Sequence, residues 1–279
     1  MKNNIFIANE TLQIIKAGSY CIGEKTIDLL PGDYSGVKVY TPEIAEELLH
    51  QKEKDAFSYD SESHSCSFYL VKEDSFQAAG RYNHPLVMNF ANAHQPGGAF
   101  RMGATAQEEA LCRNSTLYAS LTSDKASEMY QYNRKHFSPT DSDYMLLSPE
   151  VCVFRDVQCE LLEVPYMVSV ITLPAPNKRG AAMFTSQKKI DMIMKRRIRI
   201  MLGIAAENNY KSLVLGAWGC GAFGHDARKV AAYFKEILID EQYERYFENV
   251  VFAILSGNNK LDAFAKAFGE RINAFKLFL

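Results

Sequence analysis

No C-x-x-C pair occurs in the 279 residues, and the six cysteines, at 21, 66, 112, 152, 159 and 220, are scattered. Neither a redox pair nor a zinc cluster of Cys and His at ligand spacing can be assembled from them. A reduced, cytoplasmic protein is the simplest reading. No apolar run approaches the ~18 residues of a membrane span. The first such run, Ile5 to Ala8, stops at Asn9 and Glu10, too short for the apolar region of a secretory signal. Charge of one sign is also lacking. The 31 basic and 33 acidic residues leave a formal net charge of -2, which offers no general grip on nucleic acid, although Lys195-Arg196-Arg197 is a local basic cluster. No internal repeat or low-complexity segment interrupts the chain.

What is present is ordinary for a globular chain: 47% hydrophobic and 23% charged residues, with length enough to bury a substantial core. Residues 1–60 are mixed, and 1–64 are expected to form an N-terminal extension packed on a domain of residues 65–279. Thr11 to Ala17 suits a short amphipathic helix. Thr41 to Lys52 (TPEIAEELLHQK) has a capping Thr41, Pro42 at the first helical position and Glu43 in the first turn. From residue 67 the pattern becomes regular. Strands are expected at Ser67–Val71, Pro85–Phe90, Met145–Phe154 (one or two), Met167–Leu173, Ser212–Leu215 and Asn249–Leu255. Helices are expected at about Ala106–Leu121, Ser186–Asn208, Asp226–Ile239 and Leu261–Phe268, the second with Ile190, Met194, Ile198, Met201 and Ala205 on one stripe. Strands alternating with helices argue for a three-layer α/β domain. The strands are almost continuously apolar, as when both faces of a sheet are covered.

Ligands in such folds bind beyond the strand ends, where glycine-rich loops lead into helices, and two loops qualify. The first runs from Asn89 to Glu109 (NFANAHQPGGAFRMGATAQEE). Gly97 and Gly98 let the backbone approach a ligand closely. Gln107, Glu108 and Glu109 fall in the first turn of the following helix, where acidic residues can also simply complement the helix dipole. Pro-Gly-Gly can likewise be a plain turn. The second loop, Leu215 to Gly224 (LGAWGCGAFG), has four glycines in ten residues. Its N–H groups can cradle a diphosphate, with positive potential from the next helix start. It is neither a Walker A loop nor G-x-G-x-x-G. Phe223 can stack on a sugar or base, or belong to the core. His94 and His225, in or beside these loops, read as solvated loop histidines able to touch phosphate.

Together the loops resemble the two ligand loops of macrodomains. The first is also similar to the signature of poly(ADP-ribose) glycohydrolases, three glycines followed by Gln-Glu-Glu, with Ala99 standing at the third glycine. N-F-A-N-A…P-G-G-A-F…A-Q-E-E-A-L-C-R resembles the short bacterial type of that family, as does S-P-E-V-C-V-F-R-D from Ser148 to Asp156. Ala8 to Leu12 (ANETL) is compatible with it. The resemblance implies a three-layer α/β/α macrodomain-like fold with a mixed central sheet. It implies hydrolysis of the ribose–ribose O-glycosidic bonds of poly(ADP-ribose) to release ADP-ribose, with no cofactor or metal. By position Glu109 is then the acid/base and Glu108 holds ribose hydroxyls. Gly97, Gly98, Ala99 and Phe100 pack round that ribose, with Asn92 and Gln107 as further contacts. Gly219, Cys220, Gly221, Ala222 and Phe223 wrap the diphosphate, with Phe223 beside the distal ribose, and Gly224 is a further ligand-binding residue. ADP-ribose, poly(ADP-ribose) or an ADP-ribosylated protein is the implied partner; neither sequence-specific nucleic acid nor a membrane is. Three other activities are a mono-ADP-ribosyl-protein hydrolase, a macrodomain that binds ADP-ribose without turnover, and a nucleotide or sugar-phosphate hydrolase, which the Gln-Glu-Glu helix start does not favour.

The chemistry suits those residues. Cleaving a glycosidic ribose bond passes through an oxocarbenium-like state. One carboxylic acid can protonate the leaving oxygen and then deprotonate water if its pKa lies near the working pH. Burial and a neighbouring carboxylate both raise that pKa. Adjacent residues on a helix diverge by about 100°. Glu108 and Glu109 are therefore expected to point apart and not to flank the bond as a glycosidase pair.

Overall fold

The computed structural model describes residues 3–53 and 65–273. The elements, in chain order, are α1 (Asn4–Ala17), β1 (Ser19–Ile22), β2 (Lys25–Asp28), β3 (Lys38–Tyr40), α2 (Pro42–Glu53), β4 (Ser67–Val71), α3 (Ser75–Ala79), β5 (Leu86–Ala91), α4 (Gln107–Asn114), α5 (Leu117–Leu121), α6 (Ser127–Lys135), β6 (Met145–Arg155), β7 (Leu161–Pro174), α7 (Gln187–Glu207), β8 (Ser212–Leu215), α8 (Ala227–Lys235), β9 (Asn249–Ala253), α9 (Asn258–Phe268) and β10 (Ile272–Asn273). Eight strands form a mixed sheet in the order β10-β4-β9-β8-β5-β7-β6-β3, and β1-β2 is a separate hairpin. Among the described residues no helix is long and apolar enough to cross a membrane.

The chain divides into two compact units. The first takes the stretches up to Tyr40, Asn89 to Phe137 and Tyr144 to Pro174. Its framework is the antiparallel β6–β7 ladder, with β3 antiparallel to β6. Helix α1 is built into it: Thr11 Oγ1 donates to the Arg113 carbonyl at 2.7 Å, and Glu10 pairs with the buried Arg155 at 2.5 Å. The second unit takes Thr41 to Met88, Ser138 to Asp143 and Ala175 onward. There β4, β9, β8 and the start of β5 run parallel, and SLVL of β8 is buried throughout, as covering both faces of a sheet requires. Helix α7 is capped by Ser186 and buries the expected stripe of Ile190, Met194, Ile198, Met201 and Ala205. Arg197 is buried as well, its charge met by Asp143 at 2.9 Å and the Thr140 carbonyl at 2.7 Å.

Two expectations are corrected. The single helix expected at Ala106–Leu121 is two, because Ser115 and Thr116 prefer other partners. Thr116 exchanges hydrogen bonds with Cys152 of β6 through N (3.0 Å) and Oγ1 (2.9 Å), and Ser115 Oγ accepts from Leu117 N at 3.1 Å. Short hydroxyl side chains compete in this way with the helical ladder. The helix expected at Asp226–Ile239 is regular only to Lys235 and closes in a π-turn over Glu236–Asp240. The boundary expected between residues 64 and 65 falls at the edge of residues 54–64, which lie outside the described residues.

Candidate active site

The first loop leaves β5 and returns as α4. Its glycines are required by conformation: Gly97 and Gly98 have φ of +67° and +55°, a region that costs a side chain about 1–2 kcal/mol. A Cβ at Gly97 would lie 2.8 Å from the Tyr118 ring, and one at Gly98 2.4 Å from Glu109 Oε1 and 3.2 Å from Glu108 Oε2. The turn therefore folds back onto the helix start. Both carboxylates converge on Gly98, and the expectation that they point apart is corrected.

Both are buried, Glu108 at 3% and Glu109 at 8% exposure. Carboxylates that merely complement a helix dipole gain by staying in water, so burial decides against that reading. Glu108 is held at each oxygen: Oε2 accepts from Asn92 N at 2.8 Å, Oε1 from Asn89 Nδ2 at 3.4 Å. Burial nonetheless pushes its pKa up to about 8, with the Glu109 charge adding to the shift and the N–H donors opposing it. Glu108 is thus neutral at pH 7. Glu109 is held at one oxygen only. Its Oε1 accepts from Ala99 N at 3.0 Å, while Oε2 is buried with no partner. A buried oxygen of this kind carries a desolvation penalty unless something bonds it.

Other expected residues have different parts. Gln107 Oε1 accepts from Phe90 N at 2.9 Å, tying the start of α4 to β5. Asn92 Oδ1 closes the loop by accepting from His94 N (2.8 Å) and Gln95 N (3.0 Å). Phe100 is fully buried against Tyr118, centroids 4.8 Å apart, so its ring has no surface to give a ligand. Ala99 has φ -96° and ψ 31°, backbone that any residue adopts, and its methyl forces no altered turn. Asn89, which the sequence reading did not single out, bonds both Glu108 and Thr172. An Asn in the middle of an apolar strand was the signal available.

The second loop follows β8. Gly219 is required twice, by φ +73° and by the His225 ring 2.7 Å from where its Cβ would stand. His225 is 7% exposed and its Nε2 meets the Pro176 carbonyl at 2.7 Å, and burial lowers its pKa. It is a neutral buried prop, and the solvated reading is corrected. Cys220 N turns inward to the Ala217 carbonyl, 3.0 Å. The N–H groups of Gly219, Gly221, Ala222 and Phe223 make no hydrogen bond among the described residues. Gly221 faces open space, with nothing within 4 Å of a Cβ built there. A cavity of about 380 Å³ adjoins the loop, lined by Cys220, Asp226, Arg228, Asn259 and Lys260.

A large mixed sheet covered by helices defines a macrodomain-like α/β protein. Within that class the family model for the catalytic domain of microbial-type poly(ADP-ribose) glycohydrolase (PARG) matches residues 8–156, more than half of the chain. This chain belongs to that family. It is 34% identical to a PARG of Thermomonospora curvata, TM-score 0.86, covering 95% of this chain and 99% of that one. The same enzyme bound to the inhibitor ADP-HPD superposes with TM-score 0.83 at 34% identity and the same coverage. A PARG of Deinococcus radiodurans in complex with ADP-ribose is 37% identical, TM-score 0.76, over 86% of this chain and 98% of that one. No curated protein matches the sequence.

Proposed function

We propose that this protein is a poly(ADP-ribose) glycohydrolase that cleaves the ribose–ribose O-glycosidic bond and releases ADP-ribose, with Glu109 as general acid/base. The observation that carries this is the unpartnered Glu109 Oε2, buried beside a glycine turn while Oε1 is fixed by Ala99 N–H. In the first step Glu109 gives a proton to the departing ribose oxygen as the C–O bond breaks and positive charge builds on the sugar ring. In the second it takes a proton from the water that attacks the same carbon. Both carboxylates approach Gly98, so they are not read as a glycosidase pair flanking the bond. Glu108, neutral and anchored at both oxygens, instead orients ribose hydroxyls. The free N–H groups of Gly219, Gly221, Ala222 and Phe223 suit a diphosphate. Six free cysteines fit a reducing, cytoplasmic setting.

The test is Glu109→Gln, which keeps the acceptor for Ala99 N–H but cannot carry a proton. Single-turnover hydrolysis of poly(ADP-ribose) should fall by about 10²–10⁴-fold, while calorimetry finds ADP-ribose bound as before. A folded variant that hydrolyses at the wild-type rate would remove Glu109 from the reaction. Running mono-ADP-ribosylated protein in parallel separates polymer cleavage from removal of a single unit.

A further inference from the structure

One feature of the second unit is untouched by this chemistry. Between β7 and α7 the chain folds as successive tight turns: Ala182 N bonds to Asn177 O at 2.9 Å, Met183 N to Gly180 O at 2.9 Å and Thr185 N to Ala182 O at 3.0 Å. Buried Ala182 anchors the segment. It holds out Phe184 at 92% and Met183 at 57% exposure, with Met192 of α7 at 62%. Exposed apolar side chains grouped in this way are uncommon on a monomer and mark a binding surface. Around them lie Arg179, Lys188 and Lys189, exposed and with no side-chain hydrogen bond or ion pair among the described residues. The acid in this stretch, Asp191, is already engaged by Gln187 (2.5 Å), Lys229 (3.2 Å) and Tyr233.

The segment is joined to the glycine loop after β8. Lys178 N donates to the Phe223 carbonyl at 3.1 Å, and the Arg179 side chain lies 2.8 Å from where a Cβ on Gly224 would stand. Arg179, one of the three cations, therefore lies beside the loop that suits a diphosphate. An exposed aromatic among unpaired cations is the composition that binds anionic chains with stacking bases.

We infer that the Lys178–Met192 surface is a second binding site for the polymer. Phe184 stacks on the adenine of an ADP-ribose unit outside the catalytic pocket, and Arg179, Lys188 and Lys189 hold its diphosphates. This rests on the poly(ADP-ribose) reading above. It makes grip depend on chain length without adding to the contacts on the unit being cleaved.

The test uses Glu109→Gln protein, so that chains stay intact, with fluorescently labelled long poly(ADP-ribose) and, separately, ADP-ribose. Adding Phe184→Ala should weaken long-chain binding about tenfold, as loss of one stacked base does. Adding Lys188→Ser and Lys189→Ser together should weaken it further and flatten its salt dependence. Both sets should leave ADP-ribose affinity unchanged. Long-chain binding unaffected by either set would overturn the inference, as would an equal loss for ADP-ribose. Oligoadenylate bound as tightly as the polymer would reassign the surface to nucleic acid. If the protein without these changes fails to bind ADP-ribose at all, the proposed function falls first, and that result is distinct from each of the others.

Discussion

At the scale of residues, the site turns on how differently two neighbouring carboxylates are treated. Glu108 receives N–H donors at both oxygens, and Glu109 at one. Gly98 and Ala99 repeat the contrast in the backbone. At Gly98 a methyl would sit 2.4 Å from Glu109 Oε1 on backbone of positive φ. Gly98→Ala should therefore displace the carboxylate and lose turnover about as fully as Glu109→Gln, by about 10²-fold or more, with about 1–2 kcal/mol of strain added. Ala99 has negative φ, so its backbone does not require glycine. Ala99→Gly should leave hydrolysis unchanged and lower stability by about 0.4–1 kcal/mol through the looser unfolded chain. Rates and denaturant midpoints of the two variants check both. A Gly98→Ala protein as active as wild type would show that the turn does not position the acid.

Elements with strong local signals were legible in the sequence. SFYLV and SLVL are strands at the expected residues, Ser67–Val71 and Ser212–Leu215, because continuous apolar runs between breakers leave little choice. The hairpin Ser19–Asp28, the three-residue β3 and helix α6 were not foreseen. They are short and half polar; β3 forms by adding to β6, and β1 and β2 by pairing with each other. The motif residues were readable as a set, but their individual parts were not. Gln107 and Phe100 proved to be a backbone tie and a core ring. Nothing local reveals which atoms a loop folds against. The β8–α8 loop gives the prediction at this scale. Gly221 faces open space without positive φ, so Gly221→Val should fold normally and lose ADP-ribose affinity by placing a side chain before the free amides. Gly219→Ala meets His225 and positive φ, and should lower the melting temperature as well. Calorimetry and thermal melts of the pair separate ligand loss from fold loss. Undiminished affinity in Gly221→Val would take the diphosphate off this loop.

For the whole molecule the buried charges set opposite slopes on stability against pH. Asp143 is buried, which alone would raise its pKa, but Arg197 and Arg196 outweigh burial and hold it below 3.8. Its contribution is present above pH 3.8 and is lost as pH falls through the depressed native value. Glu108 works the other way, since its native pKa of about 8 exceeds the ordinary 4.5. Below pH 4.5 it is protonated in both states and makes no demand on stability. Between pH 4.5 and about 8 only the folded protein keeps the proton, so stability falls with rising pH by up to about 1.4 kcal/mol per unit. Above that both states are ionised and the loss is complete. Glu108→Gln removes the falling limb while keeping an acceptor for Asn92 N–H. The stability of the variant relative to wild type should therefore climb from pH 5 to pH 8 and level off beyond. Denaturant unfolding of both proteins across that range measures the difference directly. A difference that stays flat with pH would mean that Glu108 is already ionised when buried.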